Sequence, residues 1–170
     1  MEGDLLHNVK AILSKEVISK LSANLGESEQ NILKGIDLTI PSILLALQNK
    51  NEEGLKIILT ASRQLFNTVD LQQAFNNYFG SPAGTDMSKF ETQNLLASIF
   101  GGKLNAVVHP ISNYINMRPE SVQGLLGVCL PAVISSITHK GTDWNIKTIE
   151  LLLRANKSSF TSALPRQLVF

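Results

Sequence analysis

Apolar side chains recur at intervals of three and four residues along most of this chain, and that spacing restricts it to helices. The clearest apolar stripes cover residues 17–25, 32–47, 107–115 and 122–137. Runs that alternate apolar and polar residues are short, and no Asn-Gly or Asp-Gly hairpin turn occurs. The sequence therefore predicts an all-α fold, in which turn and capping residues separate several amphipathic helices.

Individual residues mark some of the helix boundaries. Ser14 and Ser28 can cap helix starts, and Gly26 can end the first of these two helices. We expect Thr142 with Asp143 to start a later helix that runs through Arg154.

The second and fourth stripes each contain a proline in the middle of an apolar run, at Pro41 and Pro131. Proline inside a helix removes a hydrogen bond and crowds the carbonyl four residues earlier, here that of Asp37 or Gly127. We expect each proline to kink or break its helix, and the missing side chain of Gly127 to ease crowding at the bend. Asp37 should face solvent or a donor, because an unpaired buried carboxylate is costly.

The two prolines are part of a longer self-similarity. An offset of 90 residues aligns Val17 with Val107, Ser22 with Ser112, and Pro41 with Pro131, and an offset of 91 extends the match to the following helix. We interpret the chain as two tandem, structurally similar helical repeats with Pro-kinked central helices. The second copy has Asn116 where the first has Gly26.

Residues 81–86, Ser-Pro-Ala-Gly-Thr-Asp, form the clearest linker. We expect a first helical repeat over residues 1–80, a linker and connecting helix over 81–103, and a second repeat over 104–170. Each copy alone is near the size at which one hydrophobic core is marginal, so the copies should pack as one compact globule.

Composition narrows the class of protein. Charged residues make up 17% of the 170, against about 25% in average domains. Hydrophobic residues make up 44%, and with a net charge of +1 this excludes disorder. One cysteine excludes an internal disulfide framework, and the acidic residues 1–4 are unlike a basic secretory leader. The most apolar stretch, residues 125–137, is shorter than the roughly 20 residues of a spanning helix. We expect a cytoplasmic protein with no membrane span.

The segments around the two prolines, residues 38–47 and 128–137, resemble the Pro-centred helix of the YidB-like bacterial proteins, which share domain of unknown function 937. Residues 97–101 and 117–120 resemble the second half of that domain, and residues 163–165 resemble its C-terminal signature. The resemblance covers about residues 14–166. It implies a multihelical bacterial protein, and it implies no activity, cofactor or catalytic residue.

Few residues are candidates for chemistry. Cys129 lies in the most apolar segment, where a thiol has a raised pKa and is inert, so we interpret it as a core residue. The three histidines form no pair with metal-ligand spacing, and we expect no metal and no cofactor. A sequence pI of 7.9 is below the value above about 9 that is typical of nucleic-acid-binding domains, so we expect no nucleic-acid partner.

These observations favour a non-enzymatic protein-interaction or assembly module, which binds a protein partner or itself. Exposed apolar helix faces would explain the low charge. The two Pro-containing helices are apolar nearly all round, so we expect them in the centre of a bundle and the exposed faces on shorter helices. Tyr78, Phe79 and Phe100 on the shorter helices are the candidate interface anchors. One alternative is a protein that binds an apolar small molecule or a lipid between the copies. Another is an enzyme whose site has no recognisable motif.

Overall fold

The computed structural model describes residues 5–66, 87–139 and 142–168. All secondary structure in these residues is helical, which confirms the all-α prediction. The helices are α1 Leu5–Ile12, α2 Lys15–Leu25, α3 Glu29–Gln48, α4 Glu52–Phe66, α5 Met87–Phe100, α6 Leu104–Ile115, α7 Pro119–Ile137, α8 Ile146–Ala155 and α9 Lys157–Ala163, followed by a 3-10 turn at Arg166–Leu168. The predicted linker at residues 81–86 lies outside the described residues.

The helix boundaries follow from capping residues. The hydroxyl groups of Ser14 and Ser28 accept hydrogen bonds from the N–H groups of Val17 and Asn31, as N-cap serines do. Gly26 ends α2 in the left-handed conformation, with φ of 68°.

One predicted boundary was wrong. We expected Thr142 and Asp143 to start the helix that became α8, but its N-cap is Asn145, whose side chain accepts from the N–H of Thr148 at 3.0 Å. Asp143 instead accepts from the N–H of Asn145 at 3.0 Å, in the turn before the helix. Asp and Asn are both good N-caps, so the sequence alone could not choose between them.

Helices α3 and α7 form the centre of the molecule. The hydroxyl of Thr39 lies 3.5 Å from the sulfur of Cys129, and a Cβ placed on Gly35 would overlap the Leu125 side chain. Since positions four residues apart on α3 meet positions four residues apart on α7, the two helices run side by side in the same direction. Helices α1, α2, α5 and α6 pack around this pair. The hydrophobic core is continuous through both helices.

Helix α7 is also long and apolar enough, by length and composition, to cross a membrane. However, 78% of its most apolar window is buried against the rest of the protein. A helix that is apolar nearly all round is typical of the centre of a helical bundle, and this is the position that α7 occupies.

Both prolines are buried, and neither breaks its helix. α3 continues through Pro41 and α7 continues through Pro131. Of the two expected outcomes, a kink or a break, the break does not occur, because each helix continues through its buried proline. The expected bend stays a prediction.

We expect Pro131→Ala to restore a helical hydrogen bond but to straighten α7 and worsen its packing. A core that must repack around a changed helix shape loses about 1–3 kcal/mol. Thermal unfolding followed by circular dichroism should therefore show a lower midpoint. A raised midpoint would mean that the proline strains the fold and is retained for another reason.

Candidate interaction groove

A groove of about 870 Å³ opens where α3, α6 and the C-terminal segment meet. Its walls come from three parts of the chain that are far apart in sequence. The lining residues are Lys34, Asp37, Leu38, Tyr114, Ile115, Asn116, Ser162, Ala163, Leu164 and Pro165. A volume of this size lies within the range of about 300–1,000 Å³ that is typical of ligand pockets.

Hydrogen bonds at the C-terminal end of α6 position its wall of the groove. Asn116 adopts the left-handed conformation, with φ of 56°, and its N–H donates to the carbonyl of Ser112. The hydroxyl of Ser112 donates to the carbonyl of Met117, so the chain reverses tightly after Ile115. This turn leaves Tyr114 on the rim, with 49% of its surface exposed. Tyrosine combines a large apolar ring with a polar hydroxyl, and it is enriched at protein interfaces for that reason.

The α3 wall carries charges of both signs. Asp37 is exposed and forms an ion pair with Lys10 of α1, with 3.0 Å between the ammonium nitrogen and a carboxylate oxygen. The expectation that Asp37 faces solvent or a donor is therefore confirmed. Lys34 lies one turn earlier on α3. The groove thus combines an aromatic rim, apolar side chains and one residue of each charge.

The opposite wall is the extended segment that follows α9. Leu164 has φ of −96° and ψ of 134°, as expected for a residue that precedes a proline. Its side chain is buried in the core, which anchors the segment and leaves Pro165 partly exposed at the groove. Residues 163–165 therefore build one side of this groove.

Cys129 is fully buried, as predicted, and its neighbour across the helix pair is Thr39. Burial raises the pKa of the Cys129 thiol to about 12, and the hydrogen bond with the Thr39 hydroxyl acts to lower this pKa. The dominant cause is desolvation, which disfavours the thiolate. Cys129 is therefore placed as a packing residue within the α3–α7 pair.

We expect the native protein to resist thiol reagents, because the thiolate is the reactive form and a pKa of about 12 leaves almost none at pH 8. Labelling with a chromogenic disulfide should be slow in buffer and fast in denaturant. Labelling in buffer at the denatured rate would contradict the core assignment.

Of the three aromatic residues predicted as interface anchors, Phe100 alone lies within the described residues. Tyr78 and Phe79 lie outside the described residues. Phe100 is 8% exposed and belongs to the core, so its side chain is not available as a free surface anchor. Tyr114 was not predicted as an interface residue, although its position just before the end of an amphipathic helix could have indicated it.

A polar cluster that the sequence did not predict joins the α2–α3 turn to the start of α7. Glu27 accepts from the Ser121 hydroxyl at 2.7 Å and from Arg118 Nε at 3.3 Å. Arg118 also donates to the carbonyl of Leu25. The Glu27 side chain is only 10% exposed, so these bonds lie in a partly desolvated site. Their position favours a structural role that clamps the first half of the chain to the second.

Within the described residues, no group of three or more histidine, cysteine, aspartate or glutamate side chains is placed to hold a metal ion. Comparison with curated proteins and with solved structures gave no match. The sequence profile of one family, described as bacterial protein of unknown function (DUF937), matches residues 7–140. These residues include the whole α3–α7 centre and the α6 wall of the groove. The chain belongs to the DUF937 family of bacterial proteins.

Proposed function

We propose that this protein is a non-enzymatic assembly module that associates with a second copy of itself through the groove beside Tyr114. The observation that carries the proposal is a half-exposed tyrosine on the rim of a groove with apolar and polar walls. A few aromatic anchors in well-formed pockets supply most of the binding energy in protein interfaces.

The charges at the groove support a self-complementary contact. In a two-fold symmetric dimer the same surface meets itself, so every charge needs an opposite charge on that same surface. Lys34 supplies a positive charge, and Asp37, which also pairs with Lys10 of its own chain, supplies a negative charge about one turn away on α3. The net charge of the chain is only +1, so repulsion between two copies is weak.

The proposal includes the tandem duplication. α2 and α3 begin at residues 15 and 29, and α6 and α7 begin at 104 and 119, close to the 90-residue offset. Both α2 and α6 end in a left-handed residue whose N–H donates to the equivalent serine carbonyl. The two contacts at the centre of α3 and α7 also join positions 90 residues apart, Gly35 with Leu125 and Thr39 with Cys129. These features support two copies of one helical unit packed around a pseudo-two-fold axis.

Duplication also bears on where a partner would bind. At the 90-residue offset, Tyr114 corresponds to Asn24, and Lys34 and Asp37 correspond to Gly124 and Gly127. Neither the aromatic rim nor the charge pair is therefore repeated in the other half. A groove that is present once per chain gives each protein one contact of this type, which favours a closed dimer over an open chain of copies.

We expect Tyr114→Lys to weaken dimerisation at least tenfold, because it removes the aromatic anchor and brings two like charges together across a symmetric contact. Sedimentation equilibrium at several loading concentrations measures the dissociation constant. The matched control is Ile57→Lys, which changes an apolar side chain on α4 that is 64% exposed and outside the groove.

The control distinguishes association through the groove from non-specific association of exposed apolar side chains. If Ile57→Lys weakens the dimer and Tyr114→Lys does not, the interface lies on the α4 face and the groove is the wrong surface. Equal losses in both variants would indicate non-specific association of exposed apolar residues. Circular dichroism of each variant should remain that of the parent protein.

A further inference from the structure

Lys34 and Asp37 are exposed neighbours on one face of α3, where both line the groove beside Tyr114. Positions three residues apart in an α-helix differ by about 4.5 Å along the helix axis and by about 60° around it. Gly35 and Ile36, which lie between them in the sequence, are buried. The surface midway between Lys34 and Asp37 is therefore on the outer face of α3, opposite the core.

Neither of these two charges is fully neutralised within the chain. Among the described residues, Lys34 forms no ion pair. Asp37 binds the ammonium group of Lys10 through Oδ1 at 3.0 Å, yet its side chain remains 60% exposed. A carboxylate has two oxygens and several acceptor positions, so Asp37 can accept from a second cation. Each copy of the chain thus offers one ammonium group and one carboxylate oxygen at the groove.

The third charged residue of α3 is Glu29, and it is a poorer partner for Lys34 of another copy. Its carboxylate accepts from Ser19 Oγ at 3.1 Å, and it does not line the groove. A symmetric contact between Lys34 and Glu29 would be centred about one turn nearer the start of α3. Such a contact would leave Asp37 without an opposite charge and would move the interface away from Tyr114.

We propose that the two-fold axis of the dimer passes over α3 between Lys34 and Asp37, so that Lys34 of each copy binds Asp37 of the other. This inference rests on the proposed function, because it specifies which side chains two copies bring together at the groove. In a two-fold contact, residue i meets residue j and j meets i, so one antiparallel crossing of two α3 helices forms both ion pairs. These pairs determine which chains associate, since like charges placed together are costly.

Charge reversal at one position of each chain tests the pairing. Lys34→Glu places carboxylates opposite each other, and Asp37→Lys places ammonium groups opposite each other, twice per dimer in each case. We expect each variant alone to dimerise about tenfold more weakly, or worse. An equimolar mixture restores both ion pairs, because each contact then joins one carboxylate to one ammonium group. Sedimentation equilibrium should show dimers in the mixture at concentrations where each variant alone is monomeric.

Glu53→Lys and Lys56→Glu are the matched control pair. Glu53 and Lys56 are exposed, have the same three-residue spacing on α4, and lie outside the groove. Each control variant should dimerise as the parent protein does, and mixing the two should change nothing. Lys10→Met removes the ion pair between Lys10 and Asp37 within one chain, and it should leave the dimer in place.

The outcomes separate this inference from the proposed function. If the parent protein dimerises but the two α3 variants dimerise equally well, or if their mixture associates no better than its components, this inference is overturned and the dimer is not. Equal responses of the α4 control pair would show that overall charge, rather than contact between Lys34 and Asp37, governs association, and would also overturn it. If the parent protein stays monomeric, the proposed function fails and this inference fails with it. Circular dichroism of each variant should match that of the parent protein.

Discussion

Leu125→Ala is expected to lower the free energy of unfolding by about 2–5 kcal/mol, the range measured for large-to-small changes in protein cores. Leu125 is fully buried in α7 and contacts α3 at Gly35. Urea unfolding followed by circular dichroism measures the loss. A change below about 0.5 kcal/mol, which is typical of surface substitutions, would mean that Leu125 is not at the α3–α7 contact.

The same contact predicts a partial rescue. A Cβ on Gly35 would occupy space that the Leu125 side chain fills, so Gly35→Ala should recover part of the loss when Leu125 is alanine. The coupling energy between the two substitutions should be about 0.5–3 kcal/mol, as is typical of residues in contact. The matched control combines Gly35→Ala with Leu59→Ala in α4, which is buried at 2% exposure and outside the α3–α7 contact. The effects of the control pair should be additive. If the effects of Gly35→Ala and Leu125→Ala are additive as well, α3 and α7 do not approach closely at this point.

The second large effect is expected at Glu27. Glu27→Ala removes the acceptor of the Ser121 hydroxyl, and Ser121 is 1% exposed. A buried donor left without an acceptor costs about 1–3 kcal/mol, so urea unfolding should show a loss of that size.

Glu16→Ala is the matched control for Glu27→Ala. Glu16 forms an exposed ion pair with Lys20 one turn later on α2, at 3.4 Å. Pairs of this kind contribute about 0.3–0.5 kcal/mol. Equal effects of the two substitutions would show that the Glu27 cluster is an ordinary surface contact rather than a clamp between the two halves.

Local features of the fold could be predicted because they depend on neighbouring residues. The helix starts at Ser14 and Ser28 and the helix end at Gly26 depend on side chains within one turn. The central position of α3 and α7 also followed from sequence, since a helix that is apolar nearly all round must be covered on all sides.

The groove could not be predicted in the same way. It forms where Tyr114 comes close to Lys34 and Pro165, and no periodic pattern specifies which distant segments meet. Asn116 was a departure from the glycine expected at that helix end, yet asparagine also adopts the left-handed conformation, so the turn is kept. The aromatic anchors were predicted from residue type and from their place on shorter helices, and neither feature shows that Phe100 is buried.

The most direct test of the proposed function is light scattering coupled to size exclusion, run on the unmodified protein over a range of loading concentrations. The chain has a mass of 18.6 kDa. Self-association through the Tyr114 groove predicts a weight-average mass that rises with concentration and levels off at twice this value. A mass that stays at 18.6 kDa across the range would contradict the proposal.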